Sequence, residues 1–361
     1  MKLNAIQLFI NSSIMMANLF IPVLASSLGA SGTQIGLIGA AYGASLFIST
    51  YIFSRAAEAF SPKKLLYAGF LSAAITFLLQ IFATDPLSLG IIRALAGFSV
   101  GIYPAALLLY VYNLKRSIGK FSSFMPMGWA IGNLLAGLIA IYWTVREVFI
   151  FSSFFFAVAF SITLSLPPTE VRTRKSGNYL SSDILRKNWN IYFGFFLRQI
   201  GANNVWIIFP LYLVSLGANE LEVGILYAIN PVLQFFIMRR LDSYNTTSLI
   251  HAGDIFSAAA FIALIPLTTY YQAIPGLILI AFSYSSLYVG STRMLIDTNE
   301  EKGAAAGLLN SSIAFASIIG SLIGGIILEH YGFREVMASG ALFAILSYVV
   351  IRFSGKPQKS S

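Results

Sequence analysis

Three charged residues lie inside long apolar stretches of the chain: Arg93, Arg198 and Asp254. Charged side chains are costly in such surroundings, and where they occur they usually belong to a binding or coupling site. A guanidinium binds carboxylates and phosphates, and a carboxylate can take up a proton or pair with an arginine. We therefore predict that these three residues bind an anion or take part in coupling to protons.

Each of the three residues also has a simpler interpretation. Arg93 is about 9 Å from the nearer end of its apolar stretch at 1.5 Å per helical residue, which is within reach of a snorkelling side chain. Arg198 is about 100° from Gln199 on a helical wheel, so an interior position and a snorkelling position are equally compatible with the sequence. Asp254 could simply pair with an arginine at the nearby end of its stretch. These alternatives stay open at the level of sequence.

Uncharged polar and aromatic residues recur at helical spacing in four apolar stretches, one of which also holds Arg198. Residues at i, i+3, i+4 and i+7 share one face of a helix, so each set forms a stripe. Such a stripe is expected to face a hydrated cavity, although hydrogen bonds between helices would also explain it. We predict that the stripes line a substrate pathway made of Asn11, Asn18, Gln199, Asn203, Trp206, Tyr227, Asn230, Gln234, Tyr284 and Tyr288.

Residues suited to catalysis or metal binding are scarce. The chain has no cysteine, and its two histidines, His251 and His330, lack metal-ligand spacing. No Gly-rich phosphate-binding loop ending in Lys-Ser or Lys-Thr is present. We predict that the protein is not an enzyme, holds no metal and needs no cofactor, with a proton gradient as the candidate energy source.

The composition shows what must hold these residues in place. Hydrophobic residues make up 57% of the 361 residues and charged residues 10%, far from the balance of a soluble domain. A membrane-spanning helix needs about 20 apolar residues. We predict an all-α integral membrane protein with twelve spans at 5–27, 33–53, 64–83, 87–111, 120–142, 147–166, 191–215, 220–238, 248–269, 274–296, 303–328 and 333–353.

The spans divide into two halves. Residues 1–166 form an N-terminal six-helix half, residues 167–188 a Ser-, Pro- and Arg-rich cytoplasmic linker, and residues 189–361 a C-terminal six-helix half. The segment 27–31, Ser-Leu-Gly-Ala-Ser, recurs 188 residues later as Ser-Leu-Gly-Ala-Asn at 215–219. Proline and glycine residues on both sides repeat at the same offset. Two parallel repeats with a binding site between them are a known transporter architecture.

The distribution of basic residues predicts the orientation. The net charge is +9, and with a cytoplasmic N-terminus 19 of the 23 Lys and Arg residues fall on the cytoplasmic side. This distribution follows the positive-inside rule and explains the charge without any nucleic acid. We predict a monomer in the plasma membrane with both termini in the cytoplasm.

The loop after span 2 carries a motif. It reads Arg55-Ala-Ala-Glu58, followed by Lys63 and Lys64, and resembles the G-R-L-A-D-R-x-G-R-[RK] loop of the major facilitator superfamily, with Glu in place of Asp and both glycines replaced. The equivalent loop of the second half keeps Arg239 and Asp242. The resemblance implies that the charged residues of these loops form a gating latch, a set of contacts present in one conformational state and broken in the other. The alternative is that both are ordinary basic cytoplasmic loops without a role in gating.

Spans 4 and 5 extend the resemblance. Arg93, Gly97 and Gly101 are similar to the family's R-x-x-x-G-x-x-x-[GA] motif, in which the arginine is implicated in proton coupling in proton-driven relatives. Span 5 resembles the antiporter motif of drug/proton exporters, with Asn133 in place of its proline and Ala136 in place of one glycine. The motif predicts that four glycines are positions where another helix packs closely: Gly119, Gly128, Gly132 and Gly137.

The resemblance covers the whole chain and implies a secondary transporter that moves a small solute by alternating access. The span 5 motif favours an efflux antiporter of small organic compounds. The lack of a carboxylate in the middle of spans 1, 4, 5 and 7 favours instead a uniporter or exchanger of organic anions that uses the intramembrane arginines. A membrane sensor or scaffold on the same fold is a further alternative.

Overall fold

The computed structural model describes residues 2–59, 61–114, 121, 124–167, 182–299 and 302–353. The helices of the first half are Lys2–Ser27 (span 1), Gly32–Ala59 (span 2), Pro62–Leu79 (span 3), Pro86–Ile102 with Pro104–Asn113 (span 4), Phe124–Tyr142 (span 5) and Val145–Leu164 (span 6). Those of the second half are Trp189–Trp206 with Phe209–Ser215 (span 7), Glu220–Met238 (span 8), Thr246–Ala263 (span 9), Ile274–Thr298 (span 10), Lys302–His330 (span 11) and Phe333–Phe353 (span 12). A short helix, Ser182–Lys187, precedes span 7.

Eleven helices in the described ranges are long and apolar enough to cross a membrane. The remaining span, span 7, was predicted as one continuous helix, but the helix is interrupted at Ile207 and Ile208. Pro210 follows this interruption, and a proline cannot donate the backbone hydrogen bond that a continuous helix requires there. Span 4 is interrupted in the same way at Tyr103, directly before Pro104, which has no backbone N–H to donate to the preceding turn.

The repeat found in the sequence is also present in the geometry. Span 1 ends with Gly29 at a φ of 83°, and span 7 ends with Gly217 at a φ of 91°. In both places a backbone N–H returns to a carbonyl five residues earlier, from Ala30 to Ala25 and from Ala218 to Leu213, each at 3.0 Å. These contacts are typical of helix C-caps that need a left-handed residue, which glycine adopts without steric cost.

The packing of the spans repeats as well. Spans 1, 3 and 4 contact spans 5, 6 and 2 in the first half, and spans 7, 9 and 10 contact spans 11, 12 and 8 in the second half. The two halves meet where span 2 packs on span 11 and where span 5 packs on span 8. These two contacts are related by the 188-residue offset, so the bundle has approximate twofold symmetry.

Glycine residues form the closest approach between the halves. A Cβ atom at Gly325 would lie 2.4 Å from the carbonyl oxygen of Gly32 and 2.8 Å from the Cα of Gly36. A Cβ at Gly224 would lie 2.7 Å from the carbonyl oxygen of Asn133 and 2.9 Å from the Cα of Gly137. Both contacts lie at the end of the bundle opposite the chain termini, which we call the predicted outer end. The two halves are in backbone contact at that end.

Candidate functional site

Arg93 is enclosed by protein between spans 1, 2 and 4, with 3% of its surface exposed. Its Nη2 donates a hydrogen bond to Asn18 Oδ1 at 2.8 Å, and its guanidinium carbon lies 3.9 Å from the ring centre of Tyr42. Among the described residues, the Nε and Nη1 atoms have no hydrogen-bond partner. The side chain therefore does not snorkel, and it faces neighbours that carry no opposite charge.

The glycines that follow Arg93 allow this arrangement. A Cβ at Gly97 would lie 2.2 Å from the carbonyl oxygen of Tyr42, and one at Gly101 would lie 2.6 Å from Ser49 Cβ. Only residues without a side chain let spans 2 and 4 approach so closely. Since Arg93 is one turn before Gly97, the close approach also holds the Tyr42 ring against the guanidinium.

The glycines of span 5 lie against span 1. A Cβ at Gly132 would lie 2.4 Å from the carbonyl oxygen of Ser12, and one at Gly128 would lie 2.8 Å from Asn11 Cβ. The close packing places Trp129 Nε1 within 3.1 Å of Asn11 Oδ1, to which it donates a hydrogen bond. Gly137 instead contacts span 8 of the other half, and Gly119 lies outside the described residues.

Arg198 is the buried cation of the second half, with 1% of its surface exposed. Its Nε donates to Ser257 Oγ at 2.8 Å, its Nη2 to Ser283 Oγ at 3.1 Å and its Nη1 to Gln199 Oε1. The guanidinium carbon lies 5.7 Å from the ring centre of Tyr284. All three nitrogens are therefore bonded, in contrast to those of Arg93, and this arginine does not snorkel either.

Asp254 is the buried carboxylate of the same region, with no exposed surface. One oxygen, Oδ1, accepts a hydrogen bond from Ser347 Oγ at 2.9 Å, and the other, Oδ2, has no hydrogen-bond partner in the part of the chain that the structure describes. Asp254 and Arg198 attract each other electrostatically, although neither donates to the other directly.

The remaining pathway residues form small groups of amides and rings. Trp206 and Tyr227 make an edge-to-face pair at 5.7 Å, and Tyr227 donates to the Trp206 carbonyl oxygen at 3.3 Å. Tyr284 and Tyr288 stack at 5.6 Å. The amides are bonded locally: Gln234 Nε2 donates to Asn230 Oδ1 at 2.7 Å, Asn203 Nδ2 to the Gln199 carbonyl oxygen at 2.7 Å, and Asn11 Nδ2 to the Gln7 carbonyl oxygen at 2.8 Å.

The predicted latch residues are described in part. Lys63 Nζ donates to the carbonyl oxygen of Leu166 at 2.5 Å, at the end of span 6, and Lys64 is exposed. Arg239 stacks on Phe235 at 3.7 Å. The side chains of Arg55, Glu58 and Asp242 lie outside the described part of the structure, so the latch between them stays a prediction.

Several residues of these clusters were not singled out in the sequence. Tyr42 and Trp129 carry no motif and are recognised only when the helices are packed. Ser257 had a signal, since it lies three residues after Asp254 on the same helical face. Within the described ranges no group of histidine, cysteine or acidic residues is arranged to hold a metal ion.

The arrangement can bind a small solute between two halves that are joined at one end. It offers an unneutralised guanidinium in the first half, a guanidinium and carboxylate in the second, and rings and amides around them. Guanidinium and amide groups can attract and orient a solute, and a carboxylate can exchange a proton.

Comparison with known proteins places the chain in a family. The model of the Major Facilitator Superfamily matches residues 3–190 and 191–361. The chain is 21% identical to an uncharacterized MFS-type transporter of Methanocaldococcus jannaschii, over 91% of this chain and 90% of the relative. It is 23% identical to a multidrug resistance efflux pump PmrA homolog of Lactococcus lactis, over 94% and 91%.

The fold also matches a solved structure. A mutant form of the nucleoside transporter NupG superposes with a TM-score of 0.84 at 14% identity, covering 99% of this chain and 100% of that one. The match confirms the twelve-helix architecture that the sequence predicted. Both six-helix repeats are covered by the family model, and the chain is a multi-pass membrane transporter that belongs to the Major Facilitator Superfamily.

Proposed function

We propose that the protein exports small organic compounds by alternating access, in exchange for protons. The observation that carries the proposal is the set of rings and amides that come from both halves near the contact between them. Asn133 Nδ2 of span 5 donates to the Tyr227 carbonyl oxygen of span 8 at 3.1 Å, and Tyr227 itself packs on Trp206. Mixed aromatic and amide surfaces bind ring-containing solutes with few specific contacts.

Two further observations support export. The relative from Lactococcus lactis is named a multidrug resistance efflux pump, and the span 5 glycines resemble those of drug/proton exporters. The closed contact at the predicted outer end fits one state of an alternating-access cycle, in which the halves separate at one end at a time.

Asp254 is the residue we assign to proton exchange. It is buried, it has one oxygen without a hydrogen bond, and its electrostatic partner Arg198 lies beside Tyr284 of the predicted pathway. A proton on Asp254 would remove the charge that attracts Arg198. The charge of Arg198 would then be stabilised by its hydrogen bonds to Ser257, Ser283 and Gln199 without the attraction of the carboxylate.

The test is transport by the full chain in proteoliposomes. Three probes of similar size are used: benzenesulfonate as a permanent anion, benzenesulfonamide as a neutral solute and benzyltrimethylammonium as a permanent cation. We expect saturable, protein-dependent flux of at least one probe. The rate of this flux should rise when a pH gradient drives protons across the membrane in the direction opposite to the probe. Flux of none of the three would contradict transport of small aromatic solutes, and flux that ignores the pH gradient would contradict antiport.

A further inference from the structure

The charges buried inside the protein do not balance. Among the described residues, the buried charged side chains are Arg93, Arg198 and Asp254. Asp254 and Arg198 attract each other within the second half. Arg93 lies in the first half and is left as a cation with no opposite charge beside it.

Burying a single charge without a partner is unfavourable unless something else neutralises it. The other buried arginine, Arg198, is neutralised within the protein: its three nitrogens bond Ser257, Ser283 and Gln199, and it interacts electrostatically with Asp254. Arg93 has one hydrogen bond, to Asn18, and two nitrogens without a partner. The difference between the two arginines is that Arg93 keeps free donors.

The free donors lie beside the boundary between the halves. Asn18 and Tyr42, which hold the guanidinium, are only half-buried, whereas Arg93 itself is enclosed. Gly39, one turn before Tyr42, lies against Ile207 of the second half, at 2.9 Å from the position of its missing Cβ. Ile207 follows Trp206, which belongs to the predicted pathway. The Arg93 cluster therefore lies about one helical turn from the contact between the halves.

We propose that Arg93, Asn18 and Tyr42 form the subsite for the anionic group of the substrate, which is then an organic anion such as a carboxylate or sulfonate. The proposal rests on the proposed transport function and specifies its substrate class. The guanidinium supplies the charge and two nitrogen donors, the Asn18 amide fixes its orientation, and the Tyr42 ring lies against its face. A bound anion would neutralise the charge that the protein leaves unpaired.

The test is binding of the three probes to the purified full chain, measured by equilibrium binding and by thermal unfolding followed through tryptophan fluorescence. Benzenesulfonate should bind at least tenfold more tightly than benzenesulfonamide or benzyltrimethylammonium. In Arg93→Gln its affinity should fall at least tenfold, while Arg93→Lys should keep part of it because the charge remains. Arg240→Gln, which removes an exposed cation outside these clusters, is the matched control and should bind as the parent does.

A second measurement separates a binding role from a structural one. If Arg93 serves to bind a ligand, the Arg93→Gln variant without probe should unfold at the same temperature as the parent protein or at a higher one. The reason is that the substitution removes an unpaired buried charge. A lower unfolding temperature together with unchanged preference for the anion would overturn the proposal. Equal binding of all three probes would overturn it as well, whereas absence of flux for every probe would contradict the transport function itself.

Discussion

Glu329 accepts a hydrogen bond from the backbone nitrogen of Thr33 at 2.8 Å, which ties the last turn of span 11 to the first turn of span 2. The same carboxylate oxygen accepts from Ser31 Oγ at 2.8 Å. A carboxylate is favoured at a helix N-terminus, where backbone N–H groups are unpaired and the helix dipole is positive. Because the two spans belong to different halves, this contact stabilises the closed state of the predicted outer end.

Replacing Glu329 should therefore favour opening. Glu329→Ala removes the acceptor for Ser31 and Thr33, and the fraction of molecules with separated outer ends should rise. The measurement is a distance distribution between nitroxides at Leu87→Cys and Tyr331→Cys, two exposed positions in different halves. The chain contains no cysteine, so labelling needs no other change.

The control is Glu335→Ala, an exposed carboxylate in the first turn of span 12. It should leave the distance distribution unchanged. An unchanged distribution in Glu329→Ala as well would show that the glycine contacts alone hold the end closed.

The glycine of span 4 next to Tyr42 should be intolerant of a methyl group. In Gly97→Ala the new Cβ would meet the Tyr42 carbonyl oxygen at 2.2 Å, so spans 2 and 4 must separate. We expect a loss of about 1–3 kcal/mol of stability, the usual range for overpacking. Thermal or denaturant unfolding of the purified protein measures it.

Gly90→Ala is the matched control on the same helix, because its Cβ would lie 3.6 Å from Ile38, an ordinary contact. Alanine is the better helix former by up to about 1 kcal/mol, so this variant should be as stable as the parent or more so. Equal losses in both variants would mean that the close approach of span 2 at Gly97 is unimportant.

Substitutions in the glycine contacts between the halves should change conformation more than stability. In Gly325→Ala the Cβ would meet the Gly32 carbonyl oxygen at 2.4 Å, and the halves can relieve the clash by separating at the outer end. The nitroxide distances should lengthen while each half stays folded. For Gly307→Ala on the same helix, none of the described atoms lies within 4 Å of the new Cβ, so this variant should leave the distances as they are.

Asp254→Asn tests the assignment of proton exchange. The amide cannot take up or release a proton, but it has a similar size and keeps an acceptor for Ser347. Flux of a transported probe should lose its response to a pH gradient, while exchange of labelled for unlabelled probe across the membrane continues. Ser347→Ala keeps the carboxylate and should keep the response. A gradient response that survives in Asp254→Asn would assign coupling to another group.

The sequence predicted the spans well because their signal is local. Hydropathy and loop residues locate a helix, and the repeat at 188 residues divides the chain without knowledge of any contact. The interruptions of spans 4 and 7 were missed, although Pro104 and Pro210 were visible. Proline is tolerated within some membrane helices, as Pro22 in span 1 shows, so its presence alone does not decide whether a helix stops.

The partners of the charged residues could not be predicted in the same way. The rotation of span 7 decides whether Arg198 meets Ser257 and Ser283 or extends to the membrane surface, and a stretch with apolar residues on every side does not specify rotation. The pairing of Arg93 with Tyr42 depends on the distance between spans 2 and 4. Gly97 and Gly101 indicate that some helix approaches closely, but not which one.

The two glycine contacts between the halves, which we call the glycine seams, are related by the repeat: one joins spans 2 and 11, and the other joins spans 5 and 8. The carboxylate that stabilises the first of them has no counterpart in the second. Gly36 with Gly325 repeats as Gly224 with Gly137, but the position 188 residues before Glu329 is Ile141. The seam of spans 5 and 8 therefore lacks the charged contact that the seam of spans 2 and 11 has. When the outer end opens, the contact between spans 5 and 8 should therefore separate before the contact between spans 2 and 11. The halves should then rotate about an axis displaced toward spans 2 and 11.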